Sequence, residues 1–151
     1  IAADSDQDHH RRSGISMAPR RARPRPRVPR VVVPAAAVAG PYSPAVRYGN
    51  LLFTSGQLGL DPASGQLAGP DIAAESRQAL VNLQAVLRDG GAELDQVLKV
   101  TLYLVDAADF ATVNAVYVEF FRPPYPARTC VVVAALPKGA RIEIEAIARG
   151  D

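Results

Sequence analysis

Between Asp71 and Ala148 the apolar residues alternate between helical and strand spacing, and that order restricts the architectures open to the chain. Ile72, Ala79, Leu80, Leu83, Val86 and Leu87 fall on one face of a helix expected from about Ile72 to Asp89. Asp71 is suited to cap it, Glu75 lies near the positive end of its dipole, and Gly90-Gly91 end it. Val97 to Val105 reads as a strand. A second helix starts near Ala107 or Ala108, carries the stripe Phe110, Val113, Tyr117, Phe120 and Phe121, and stops before Pro123-Pro124. Residues 128–134 and 141–148 read as two further strands around Leu136-Pro137-Lys138-Gly139. Upstream, Val31 to Val33, Ala45 to Tyr48 and Leu51 to Ser55 are short strand signals. Gly49-Asn50 marks a turn between the last two, which suggests an early hairpin. The order β-β-β-α-β-α-β-β argues for an α+β fold, a mixed sheet with two helices packed on one face. One parity of the 97–105 strand carries Val100, Leu102 and Leu104, the other Thr101 and Tyr103. The face left open remains too apolar for water, so association through the sheet is expected.

Charge divides the chain in two. Residues 1–30 hold eight Arg against three Asp, a balance of +5, whereas residues 31–151 hold nine Lys or Arg against twelve Asp or Glu, a balance of −3. The Arg- and Pro-rich stretch from Arg20 to Arg30 cannot bury a core and reads as a disordered basic tail. It is a cloning remnant, a solvated tail with Met17 as the true start, or a weak organellar targeting segment. Residues 31–151 form the domain. Its mildly acidic balance gives no support for nucleic-acid binding, and no apolar run approaches the roughly 20 residues of a membrane span. The single cysteine, Cys130, excludes an internal disulfide and fits a reducing, cytoplasmic setting. No Cys/His cluster has metal-ligand spacing, since His9 and His10 are the only histidines.

Arg128 is the leading candidate for chemistry. It heads the apolar run Ala127 to Val133, where a planar fork of donors suits a small carboxylate or phosphate. Glu143 is the second, alternating with Ile142 and Ile144 on the last strand. Its competing reading is a solvated strand face. If residues 128–134 and 141–147 made a simple hairpin, Val132 would oppose Glu143. Arg128 and Glu143 would then share a face about 13 Å apart, at roughly 3.3 Å per residue. That is too far for one small substrate. A different pairing, a bridging water or a neighbouring subunit would each resolve it. Asn114 lies on the apolar stripe of the second helix, where a buried amide needs partners, either to pin the helix or to line a pocket. Cys130, among valines and without a histidine in its domain, is a poor nucleophile, and the same lack excludes a Ser-His or Cys-His triad. Ser55-Gly56-Gln57-Leu58-Gly59 is no phosphate loop but offers backbone donors after a strand.

Five blocks together resemble the RidA (YjgF-type) reactive intermediate deaminases: Gly40 to Val46, Ser55-Gly56-Gln57, Ala111 to Asn114, Pro126 to Cys130, and Ile142 to Ala148. The resemblance spans about residues 31–149. It implies a chorismate-mutase-like fold and a homotrimer with an inner β-barrel and sites in clefts between subunits. It also implies hydrolysis of 2-imino and enamine acids, such as 2-aminoacrylate, to 2-keto acids and ammonia, with no metal or organic cofactor. Under it Arg128 binds the substrate carboxylate and Glu143 positions or activates water. Tyr42, Ser55, Gly56, Asn114 and Cys130 line the cleft. Val132 stands where many members have Glu, a change expected at the rim of the site. Other readings are a non-catalytic ligand-binding or chaperone-like trimer, or an endoribonuclease-type member. The presence of both Arg128 and Glu143 favours the deaminase.

Overall fold

The computed structural model describes residues 31–32 and 40–150; the segment 1–30 and Val33 lie outside the described residues. One mixed sheet holds β1 (Val31–Val32), β2 (Ala45–Tyr48), β3 (Leu51–Thr54), β4 (Gln57–Leu58), β5 (Val97–Leu104), β6 (Ala127–Val132) and β7 (Ile142–Arg149). Helix α1 (Ile72–Asp89) follows β4, and α2 (Phe110–Phe120) links β5 to β6. The spatial order is β1-β2-β3-β7-β5-β6, with β4 also paired to β7.

The first helix follows its sequence signals. Asp71 accepts from Ala74 N at 2.8 Å, and the left-handed φ of 81° that ends the helix falls on Gly91. Its buried stripe is Ile72, Ala79, Leu80, Leu83 and Leu87, with Val86 at the margin. The second helix departs from expectation. Ala107–Asp109 is a separate 3-10 turn capped by Asp106, and α2 proper begins at Phe110. Phe110 is 44% exposed rather than part of the core stripe, and Val116 is buried in its place beside Val113 and Tyr117.

Both helices cover one face of the sheet. The core joins Leu80, Leu83 and Leu87 of α1 and Val113 and Val116 of α2 to Val100, Leu102, Leu104, Ile142, Ile144, Ala146 and Ala148. The opposite parity of β5 and β7 is half-buried: Thr101 and Tyr103, Glu143, Glu145 and Ile147. Phe53, at 41% exposure, belongs to the same open face through its pairing with Ile147.

The hairpin between the last two strands does not form. β6 lies parallel to β5, with Arg128 opposite Val100, and β5 in turn lies antiparallel to β7, with Val100 opposite Ala146. α2 supplies the crossover that parallel neighbours require. β5 therefore stands between the two strands that the sequence sets side by side.

Glu75 does more than meet a helix dipole. It is fully buried, and its two carboxylate oxygens accept from Arg141 N at 2.6 Å and Arg141 Nε at 2.8 Å. The first turn of α1 is thus fastened to the residue that leads into β7. A methyl on Gly59 would run into the Glu75 backbone, so β4 is held close as well. Glu75→Ala should lower unfolding free energy by about 2 kcal/mol, because a buried acceptor is lost while the partly exposed Arg141 cation can turn to water. Glu75→Gln, which keeps an acceptor, should lose about half of that; chemical denaturation measures both.

Candidate functional site

The candidate residues fall into two clusters on opposite faces of the sheet. Arg128 aligns with Val100 and Ala146, which point toward the helices. Its guanidinium lies 4.7 Å from the ring centre of Tyr117 and 5.7 Å from that of Phe110. Arg128 Nη2 donates to Asn114 Oδ1 at 2.7 Å, which answers the demand for a partner that a polar residue on the apolar stripe of α2 creates. Among the described residues no carboxylate comes within 4.0 Å of this guanidinium; the ion pairs are Arg77–Glu119, Arg88–Glu93 and Arg141–Glu75. A cavity of about 270 Å³ opens beside it, lined by Asn114, Tyr117, Val118, Tyr125, Pro126 and Arg128. A half-buried cation on an aromatic wall, with donors to spare at an open cavity, suits a small carboxylate.

Cys130 follows on the same side of β6, packed at the margin of the core. Burial pushes its thiol pKa up, partly offset by Arg128, which leaves it a weak nucleophile. Val132, 54% exposed, continues that side of the strand at its far end.

Glu143 belongs to the second cluster. It pairs with Leu58 on one side and Tyr103 on the other. Its carboxyl lies directly against Gly56, where a Cβ would overlap Glu143 Oε1. Gly56 sits where the β3–β4 segment leaves the ladder of β7; there Thr54 Oγ1 accepts the Ala146 N–H at 2.9 Å. Ser55 ties this break to the preceding loop, donating from Oγ to Ser43 O at 2.6 Å and from N to Pro44 O at 2.7 Å. Tyr42, next in that loop, is 53% exposed. Burial, and then the charge of Glu145, raise the pKa of Glu143. Glu145 itself accepts from Tyr103 Oη at 2.8 Å.

Arg128 and Glu143 do not share a face, contrary to the hairpin geometry. Glu143 is three residues from Ala146, the position level with Arg128, so the two side chains leave opposite sides of the sheet. Three residues along and two strands across separate their Cα atoms by about 14 Å. Ser55, Gly56 and Glu143, with the Tyr42 loop, form one group; Arg128, Asn114 and Cys130 form the other.

Sequence reasoning missed the surroundings of both. Tyr117 is assigned only to the core stripe, although its spacing of three from Asn114 puts the two on one side of α2. The Tyr103–Glu145 contact depends on the register of β5 against β7, which no local signal carries.

Residues 33–150 match the family model described as Endoribonuclease L-PSP. The chain is 51% identical over 114 residues to the 2-iminobutanoate/2-iminopropanoate deaminase of Bos taurus, covering 76% of this chain and 83% of that protein. It is 51% identical over 108 residues to the RutC family protein y4sK of Sinorhizobium fredii, covering 72% of this chain and 86% of that protein. The crystal structure of RidA from the Antarctic bacterium Psychrobacter superposes with a TM-score of 0.73 at 42% identity, over 79% of this chain and 96% of that one. With the helix-backed mixed sheet and this similarity along nearly all of residues 33–150, the chain belongs to the YjgF/RidA family.

Proposed function

We propose that this protein hydrolyses 2-imino acids, and the enamines that tautomerise to them, to 2-keto acids and ammonia. The observation that carries the reading is Arg128: a guanidinium held by an amide and an aromatic face, rather than by a carboxylate, beside an open cleft. It suits the one charged group common to all 2-imino acids. The deaminase names of relatives at about 50% identity support the same reaction.

Arg128 binds the carboxylate and fixes the adjacent C2 in place. Glu143 takes a proton from water as the water oxygen bonds to C2 and the C=N π electrons pass to nitrogen. Glu143 returns that proton to nitrogen, giving the neutral carbinolamine, and then relays the hydroxyl proton to nitrogen as the C–N bond breaks and the C=O bond forms, releasing the keto acid and ammonia. An imine carbon is already electrophilic, so orientation and one carboxyl group that takes and returns protons suffice. The Glu143 pKa raised by burial and Glu145 suits a base that must take a proton near neutral pH.

Because one chain puts these two groups on opposite faces of its sheet, a complete site needs Arg128 from one copy and Glu143 from another. The half-buried open face, with Phe53, Ile147 and Tyr103, is the surface through which copies associate. The homotrimer with an inner β-barrel is the assembly the sequence resemblance implies.

Arg128→Ala should lower kcat/KM for enzymatically generated 2-iminobutanoate by about a hundredfold, chiefly through KM, since charge-assisted bonds to the substrate are lost. Unchanged kinetics would remove Arg128 from the site. Co-refolding equal amounts of Arg128→Ala and Glu143→Gln should restore about a quarter of wild-type activity, the fraction of ring interfaces that pair an intact Arg128 with an intact Glu143. A site built within one chain would restore none. The acid limb of the kcat profile should lie above the ordinary carboxylate range, because protonated Glu143 cannot act as base. Glu145→Gln removes a like charge, so it should move that limb to lower pH; a shift to higher pH would contradict the role.

A further inference from the structure

An arginine set beside a carboxylate is neutralised before any substrate arrives, and it then has to break that pair to bind one. Arg128 is held differently. Of its five N–H donors, one is engaged by the neutral Asn114 amide. Its guanidinium otherwise rests over Tyr117, whose ring centre at 4.7 Å is nearer than that of Phe110 at 5.7 Å. Tyr117 is the better platform for a second reason. It is only 4% exposed, against 44% for Phe110, and a desolvated ring attracts a cation more strongly.

The Tyr117 side chain is itself fixed. Its ring stacks on Phe121, with centroids 4.5 Å apart and planes at 26°. Its hydroxyl is buried with no hydrogen-bond partner among the described residues, an arrangement that costs stability and that phenylalanine would not carry. The contribution of this residue is therefore its ring face and not its phenol. Burial pushes the phenol pKa up to about 12, with Arg128 acting the other way, so the ring stays neutral at working pH and forms no ion pair.

We infer that Tyr117 is a positioning residue for carboxylate binding: its ring face holds the Arg128 guanidinium at the cleft without neutralising it. The inference rests on the reading of Arg128 as the carboxylate anchor. The aromatic ring takes the place that an acidic residue would hold and leaves the charge available to the ligand. Removing the ring frees the arginine to sample other rotamers, so binding weakens while the chemical step at C2 is little altered once substrate is bound.

The test compares Tyr117→Leu, Tyr117→Met and Tyr117→Phe in the full-length assembled protein. Three quantities are read: KM and kcat for 2-iminobutanoate, the Kd of the unreactive product 2-oxobutanoate by calorimetry, and the melting temperature. Leu and Met should raise KM and Kd about tenfold, with kcat within about twofold of wild type. Phe should rescue both constants to within about twofold and melt no lower than wild type, since it sheds the unsatisfied hydroxyl. If Leu fails to fold, the adaptable Met side chain carries the same comparison. The inference is overturned if Leu and Met leave Kd unchanged, or if Phe binds as weakly as they do. Should wild type bind 2-oxobutanoate in a Tyr117-dependent way yet turn over no imine, the deaminase reading falls and the role of Tyr117 stands. With imine turnover and a Kd indifferent to Tyr117, the deaminase reading stands and the role of Tyr117 falls.

Discussion

The placement of β5 between β6 and β7 is the constraint on which the candidate site depends. Side chains alternate across a sheet, so a residue's face follows from its register alone. The parallel pairing of β6 with β5 sets Arg128 level with Val100, and the antiparallel pairing of β5 with β7 sets both level with Ala146. Every residue at that parity faces the helices. Glu143, an odd number of positions away, has to face the other side. A one-residue slip of β7 against β5 would reverse the outcome, but it would also turn Ile142 and Ile144 out of the core they share with Val100 and Leu102. The burial of these apolar residues therefore locks the two charged groups apart.

The same layout explains why each half of the site is built as it is. On the helix side, α2 is the crossover from β5 to β6, so it must pass over the strand that carries Arg128. Its polar Asn114 and aromatic Tyr117 land on the guanidinium, and among the described residues no carboxylate lies close enough to claim it. On the open side, the break at Ser55-Gly56 brings bare backbone against the Glu143 carboxyl, a place only glycine can fill. The buried Glu75–Arg141 contact stiffens the approach to β7 two residues before Glu143. Charge density stays low around the cation, while Glu145 crowds the carboxylate from the same strand face. The two groups are tuned in opposite senses: one left free to attract an anion, one made a stronger base.

Much of this is legible in the residues alone. The cap at Asp71, the stop at Gly90-Gly91, the turn at Gly49-Asn50 and the strand runs all arise from neighbours in sequence, where backbone preference and periodicity act directly. The Arg128 and Glu143 blocks are visible for the same reason, as residue types out of place in apolar runs. Contact across the chain is what misleads. Two adjacent strands with a short loop look like a hairpin, yet the crossover helix has already committed β6 to β5. Phe110 looks like core because its spacing fits the stripe, but it begins α2 at an exposed end and meets the guanidinium instead. β4 is too short to announce itself, being two residues held by the edge of β7.

The sequence by itself determined both helices, the longer strands, their order and the helix-backed α+β class, and it marked Arg128 and Glu143 as candidates for binding a carboxylate and moving a proton. Those properties follow from local sterics, apolar periodicity and side-chain chemistry, none of which needs a distant partner. Only the tertiary structure decided which strands are neighbours, and with that which face each charged residue occupies. It also decided that Arg128 rests on Tyr117 and Asn114, and that Glu143 lies against Gly56. Register is a global property: it is set by the joint burial of residues far apart in the chain, so no single stretch of sequence states it.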